Sequence, residues 1–245
     1  MIKNILCLIS VVFVMLFCSS VVSAKSVKIE IKPFAASNIP NSMQPLGKII
    51  LSQSWNDKNG ENILIISING PHEEKTIKIT EGERYAEIYA CQFIREKDQY
   101  NLLWKIKDFE RHCPFDLWVG ILPDSTTITD LDNDQITETT IIYKLTSRSD
   151  VSPSRMKLIM HENESKMALR GTMIILSQNP DFDINRFEPD LSKIDISKIK
   201  KDDQYIIKHG RYENADDFIN YPKEFYEYAR KQWLNFVTKD SFLQF

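Results

Sequence analysis

Two runs rich in strand-forming residues, 85–95 and 100–109, flank the polar tetrad Glu96-Lys97-Asp98-Gln99. In the second run Leu102, Trp104 and Ile106 alternate with Asn101, Lys105 and Lys107. A period of two gives a strand one buried and one wet face, and the tetrad closes the pair into an antiparallel hairpin. The same signal recurs along the chain. Residues 48–55 and 62–69 flank 56–61, where Asn59-Gly60 supplies the positive-φ pair of a tight turn. Strands are also expected at 27–31, 75–80, 117–122 and 139–145, and a hairpin over 156–160 and 166–176 turns around His161-Glu162-Asn163-Glu164. Only the end reads as helix. Over 222–237, Phe225, Tyr228, Ala229, Trp233, Phe236 and Val237 recur at helical spacing, with Pro222 suited to the first helical position. The expected fold is mainly β: antiparallel sheets, sandwich- or propeller-like, with one C-terminal α-helix.

The first 24 residues read as a cleavable secretory signal peptide. Lys3 gives a basic start, residues 5–17 are apolar, and Val22-Ser23-Ala24 offers small side chains before Lys25. Residues 25–46 form a polar lead-in, and 47–245 a single β domain with a polar loop or insertion at 178–203. No later run approaches 18 consecutive apolar residues, so no transmembrane segment is expected after cleavage. With Lys3 in the leader, 30 basic residues face 34 acids, a net −4. That balance carries no electrostatic footprint for nucleic acid or an anionic membrane. Cleavage also removes two of the four cysteines. Cys91 and Cys113 remain in an oxidising compartment, and a disulfide between them is expected, contributing ~3 kcal/mol by loop closure.

One loop carries metal chemistry. In Asp130-Leu131-Asp132-Asn133-Asp134-Gln135-Ile136-Thr137-Glu138, carboxylates stand at positions 1, 3, 5 and 9, and Ile136 offers its carbonyl at position 7. Calcium takes six to eight oxygens from a short curved backbone, so Asp130, Asp132, Asp134, Ile136 and Glu138 form a candidate set. Position 12 is Ile141, and a strand follows where an EF-hand has a helix. Position 6, usually Gly, is Gln135; a left-handed backbone there costs ~1–2 kcal/mol. The loop-then-strand pattern resembles the calcium motif of FG-GAP and VCBS-type repeats. Other candidates are weaker. His112, Cys113 and Asp116 lie close in sequence, but neighbours on a strand point apart. Trp55, Trp104, Trp118 and Trp233 fit a core better than a sugar platform. Asp150 and Ser152, in the polar loop after the expected 139–145 strand, are a candidate ligand rim beside the acidic loop, or an Asp-capped turn fixed by Pro153.

Several stretches follow one another in a familiar order: Leu103-Trp104-Lys105-Ile106-Lys107-Asp108-Phe109, Cys113-Pro114, the acidic loop through Tyr143-Lys144, residues 149–157, Lys166-Met167-Ala168-Leu169-Arg170-Gly171, and the run from Pro222 to Trp233. Together they resemble a small family of exported bacterial proteins catalogued under surface-polysaccharide biosynthesis, over roughly 48–176 and 215–237; residues 178–214 are longer here. The resemblance implies a Gram-negative envelope setting and hands over no catalytic residue. The expected function is therefore a non-enzymatic binding or accessory protein of the envelope, with envelope polysaccharide or envelope proteins as partners. The alternatives are a glycan-acting enzyme using acidic-loop carboxylates and a secreted structural or host-facing protein.

Overall fold

The computed structural model describes residues 29–73, 82–150 and 152–240. The expected signal peptide, the expected 75–80 strand and the start of the expected 27–31 strand lie outside the described residues. Ten strands form two antiparallel sheets. The first runs in the order β1 (Lys32–Pro33), β2 (Lys48–Asp57), β3 (Gly60–Glu73), β4 (Arg84–Glu96), β5 (Gln99–Cys113). The second contains β6 (Asp116–Ile121), β7 (Thr127–Thr129), β8 (Glu138–Arg148), β9 (Arg155–Glu162) and β10 (Ser165–Thr172). Its order is β10-β9-β8-β6, with β7 also paired to β8. Trp55, Leu64, Ile66 and Ile88 from the first sheet meet Val119, Ile141, Tyr143 and Ile159 from the second in one core. Two sheets sharing one core make a sandwich, not the radial blades of a propeller.

The helix α1 (Lys223–Phe236) covers the far side of the second sheet. Phe225, Ala229, Trp233 and Phe236 are its buried face, a 3–4 residue spacing that lays one stripe on the sheet. Pro222 stands one residue earlier than expected, as the N-cap. The Trp233 indole N–H donates to the Gly210 carbonyl at 2.8 Å, and the Tyr228 hydroxyl donates to Thr127 Oγ1 at 2.8 Å, so the helix is tied to β7 as well. Residues 178–203 are ordered as short 3₁₀ turns; Asp190 and Asp195 each cap one by accepting from the backbone N–H two residues on. Gly171 lets the chain that follows, at Arg211 and Tyr212, close on β10, because a Cβ there would lie 1.9 Å from the Arg211 carbonyl oxygen.

Three local expectations need correction. Leu102 does not share the buried face of Trp104 and Ile106 and is 48 % exposed. A bulge causes this: Gln92 pairs with Trp104 and Phe93 with Leu102, so Leu103 is an extra residue that resets the alternation. At the β2–β3 turn only Gly60 has positive φ, with Asp57 paired directly to it across Lys58-Asn59. The disulfide is also overturned, since Cys91 and Cys113 are both free. Cys91 pairs with Lys105 and Cys113 with Arg84, eight residues further along β5, or about 26 Å. A bridge needs Cα atoms within about 7 Å. The β4–β5 turn lies much nearer Cys91 than Cys113, so the two thiols fall at different heights on the hairpin. Adding a thiol reductant should leave the thermal midpoint of residues 25–245 unchanged, and the same chain, denatured and unreduced, should alkylate at both cysteines; one alkylated thiol or none would restore the bridge.

A buried ion cluster anchors the end of the described chain. Asp240, with a fully buried side chain, accepts from Lys144 Nζ at 3.0 Å, Arg148 Nη1 at 3.0 Å, and the Ser154 N–H and hydroxyl, both at 2.8 Å. Burial works to raise this carboxyl, but Arg148, Ser154 and Lys144 outweigh it and hold it below the usual range. Lys144 also lies over the Trp118 ring at 4.6 Å. Removing one partner of a buried pair leaves the other charge uncompensated. Asp240→Ala should therefore cost about 3–5 kcal/mol in urea unfolding; a loss within experimental error would contradict this anchoring.

Between the sheets, His161 is 4 % exposed and stacks on Trp104 with centroids 4.2 Å apart. Neither ring nitrogen has a hydrogen-bond partner of normal geometry. Burial, with help from Lys166, pushes its pKa down to about 4, and the nearby Ser165 backbone offsets this only in part. The unfolded ring titrates near 6.5. Below that value the unfolded chain takes up the proton first, so stability present above pH ~6.5 drains away as pH falls towards ~4, by about 3 kcal/mol. His161→Phe should remove that slope: urea midpoints of variant and wild type should diverge on going from pH 7 to pH 4.5, and parallel curves would refute the buried neutral ring.

Candidate metal centre

The acidic loop closes the β7–β8 hairpin. Thr129 pairs with Glu138, and residues 130–137 span the turn between them. Asn133 and Gln135 both adopt positive φ, at 64° and 73°. Gln135 thus takes the left-handed backbone usually given to Gly, at the local cost expected for a side chain there. The loop is held from outside. Lys58 N–H donates to the Gln135 carbonyl at 2.9 Å. The Asp57 carboxylate accepts from the Thr137 N–H at 3.2 Å and its hydroxyl at 2.7 Å, while the Trp55 indole donates to the same hydroxyl oxygen at 2.7 Å. The adjoining turns meet as well, through Asn59 Nδ2 and Asn163 Oδ1 at 2.6 Å. Three turns from both sheets therefore converge at one end of the sandwich.

Carboxylate oxygens of Asp130, Asp132 and Glu138 lie within 4.8 Å of one another, and those of Asp132, Asp134 and Glu162 form a second such group. Calcium holds oxygens at 2.3–2.6 Å, so ligands on opposite sides of one ion stand about 5 Å apart. The spacing fits. Inside the loop, Asp132 Oδ1 accepts from the Asp134 N–H at 3.2 Å, and Asp134 Oδ1 from the Ile136 N–H at 2.7 Å. Glu138 is the most informative member. It is wholly buried, with Oε2 accepting from the Thr129 hydroxyl at 2.9 Å and the Leu131 N–H at 3.0 Å. Its Oε1 is buried with no hydrogen-bond partner. Burial, reinforced by Asp132 and Glu162, pushes its pKa up to about 8 against those two hydrogen bonds. Burial and neighbouring carboxylates likewise raise Asp132 and Glu162. A buried carboxylate with an idle oxygen among other carboxylates is an arrangement that a cation relieves.

Other expected sites fare differently. Asp150 and Ser152 follow the far end of β8, on the order of 30 Å from the acidic loop. They do not rim it: eleven strand residues separate the loop from that turn. Asp150 Oδ1 instead accepts from the Ser152 N–H at 2.9 Å, a capped turn. His112 and Cys113 make no nucleophilic pair. His112 Nδ1 lies 3.2 Å from Glu83, while the Cys113 thiol donates to the Phe115 carbonyl at 3.4 Å. Trp55, Trp104 and Trp233 are core residues, 1 %, 6 % and 0 % exposed. Sequence reasoning missed Glu162. The sequence places it in the turn 161–164, whereas it is the last residue of β9 and sits directly across from Glu138. The hairpin register between 138–145 and 155–162 was the signal that would have found it.

No family model, curated protein or solved structure matches this chain.

Proposed function

We propose that the chain is an exported, non-enzymatic binding or accessory protein of the bacterial envelope, and that calcium at the acidic loop completes its fold. One observation carries the metal reading: the wholly buried Glu138 leaves Oε1 without a partner beside Asp130 and Asp132. Asp130, Asp132, Asp134 and Glu138 would supply carboxylate oxygens and Ile136 a backbone carbonyl. The ion would offset the mutual repulsion of these groups and fix the turn that joins β7 to β8. The envelope setting, and polysaccharide or envelope proteins as partners, rest on the resemblance drawn from the sequence. Among the described residues no helix is long and apolar enough to cross a membrane.

A glycan-acting enzyme using the acidic-loop carboxylates would set two of them about 5–10 Å apart across a cleft, and an aromatic platform for the sugar would favour that reading. The cleft beside the loop is bordered by Asp57, Lys58, Asp130, Gln135 and Thr137, with no aromatic side chain in its lining. That composition favours the binding reading. The test is a thermal melt of residues 25–245 with millimolar calcium and with chelator, beside an Asp132→Ala, Asp134→Ala double variant. Calcium should raise the wild-type midpoint by several degrees, as saturation at about 100 times Kd is worth about 3 kcal/mol, and leave the variant unmoved. A wild-type midpoint indifferent to millimolar calcium would remove the metal from the account.

A further inference from the structure

An EF-hand loop has one ligand that this loop lacks. Position 12, where an EF-hand loop places a bidentate carboxylate, is Ile141, and Ile141 is buried in the inter-sheet core. The carboxylate is present, but on another strand. Glu162 ends β9 and is the cross-strand partner of Glu138. Like charges directly opposite on a sheet destabilise it. Oε1 of Glu138 and Oε1 of Glu162 are both buried and both without a hydrogen-bond partner. Asp132 belongs to each of the two close carboxylate groups, one containing Glu138 and the other Glu162.

We propose that Glu162 is a ligand of the same cation, standing in from β9 for the carboxylate that the loop lacks at its twelfth position. This rests on the cation-site reading above. An ion held by Asp130, Asp132 and Glu138 on one side and by Glu162 on the other fastens the acidic loop to β9, not merely to itself. Binding would then report on the β8–β9 register, because a slip of one residue would turn the side chain of Glu162 to the other face of the sheet. The nearby Glu164, exposed in the β9–β10 turn, gives a matched control of equal charge.

Calcium titration calorimetry on residues 25–245 separates the possibilities, using wild type, Glu162→Gln and Glu164→Gln. Glu162→Gln should weaken calcium binding by about tenfold or more, while Glu164→Gln should bind as wild type does. In chelator, Glu162→Gln should melt no lower than wild type, since it removes a like-charge neighbour of Glu138; this also verifies that the variant folds. Calcium binding to Glu162→Gln with wild-type affinity would overturn the assignment of Glu162 and leave the loop site standing. Absence of calcium binding by the wild type would overturn both.

Discussion

β8 is the strand on which the rest of the molecule depends, and its first residue is a buried acid. Ten of its eleven residues are buried. It pairs with β9 on one side and with both β6 and β7 on the other. Ile141, Tyr143 and Leu145 enter the inter-sheet core, while Ile142 joins the layer beneath the helix. A strand covered on both faces has no wet side on which to put a charge, so each charge it carries must be matched. Lys144 and Arg148 are matched by Asp240 near the end of the described chain. Glu138 is matched only in part, by Thr129 and Leu131 at one oxygen. The two ends of β8 thus meet one electrostatic problem differently: one is matched by a salt-bridge cluster inside the chain, the other leaves a buried carboxylate oxygen among neighbouring carboxylates, where the proposed cation would sit.

That nest is built by convergence. Thr137 receives Asp57 and Trp55 from the first sheet, and Lys58 donates to the Gln135 carbonyl. The left-handed backbone of Gln135, unfavourable locally, is held by partners more than seventy residues away. A cation would add to this tertiary support a term that reaches β9 through Glu162. A cation bound there would tie loop and sheet register together at one end of the sandwich, where Tyr228 of the helix also reaches β7 through Thr127.

Much of the fold was legible because strand periodicity is a local property. The hairpins 48–69, 85–109 and 156–176 and the terminal helix follow from alternation, turn residues and helical spacing. The three-residue β7 is too short to show a period. What remained hidden was register. The bulge at Leu103 exposes Leu102, and the position of the β4–β5 turn separates Cys91 from Cys113. Neither is written in residue types. Asp150 and Ser152 look close to the acidic loop in sequence, yet a full strand intervenes. The acidic loop and the alternation of its carboxylates are readable from the sequence. Glu162 is not, because only pairing of β8 with β9 brings it opposite Glu138. The anchoring of Lys144 by Asp240 was equally invisible, joining residues 96 apart.

The central claim is that the buried Glu138 carboxylate is kept for a cation. Calcium titration of Glu138→Gln, with urea unfolding in chelator alongside, addresses it most directly. The amide keeps the shape and can still accept through its oxygen, but it holds no charge. The variant should lose measurable calcium binding while remaining folded, and be at least as stable as wild type when metal is withheld. Undiminished calcium affinity in the variant, or a large loss of metal-free stability, would contradict it, since the carboxylate would then serve the fold and not an ion.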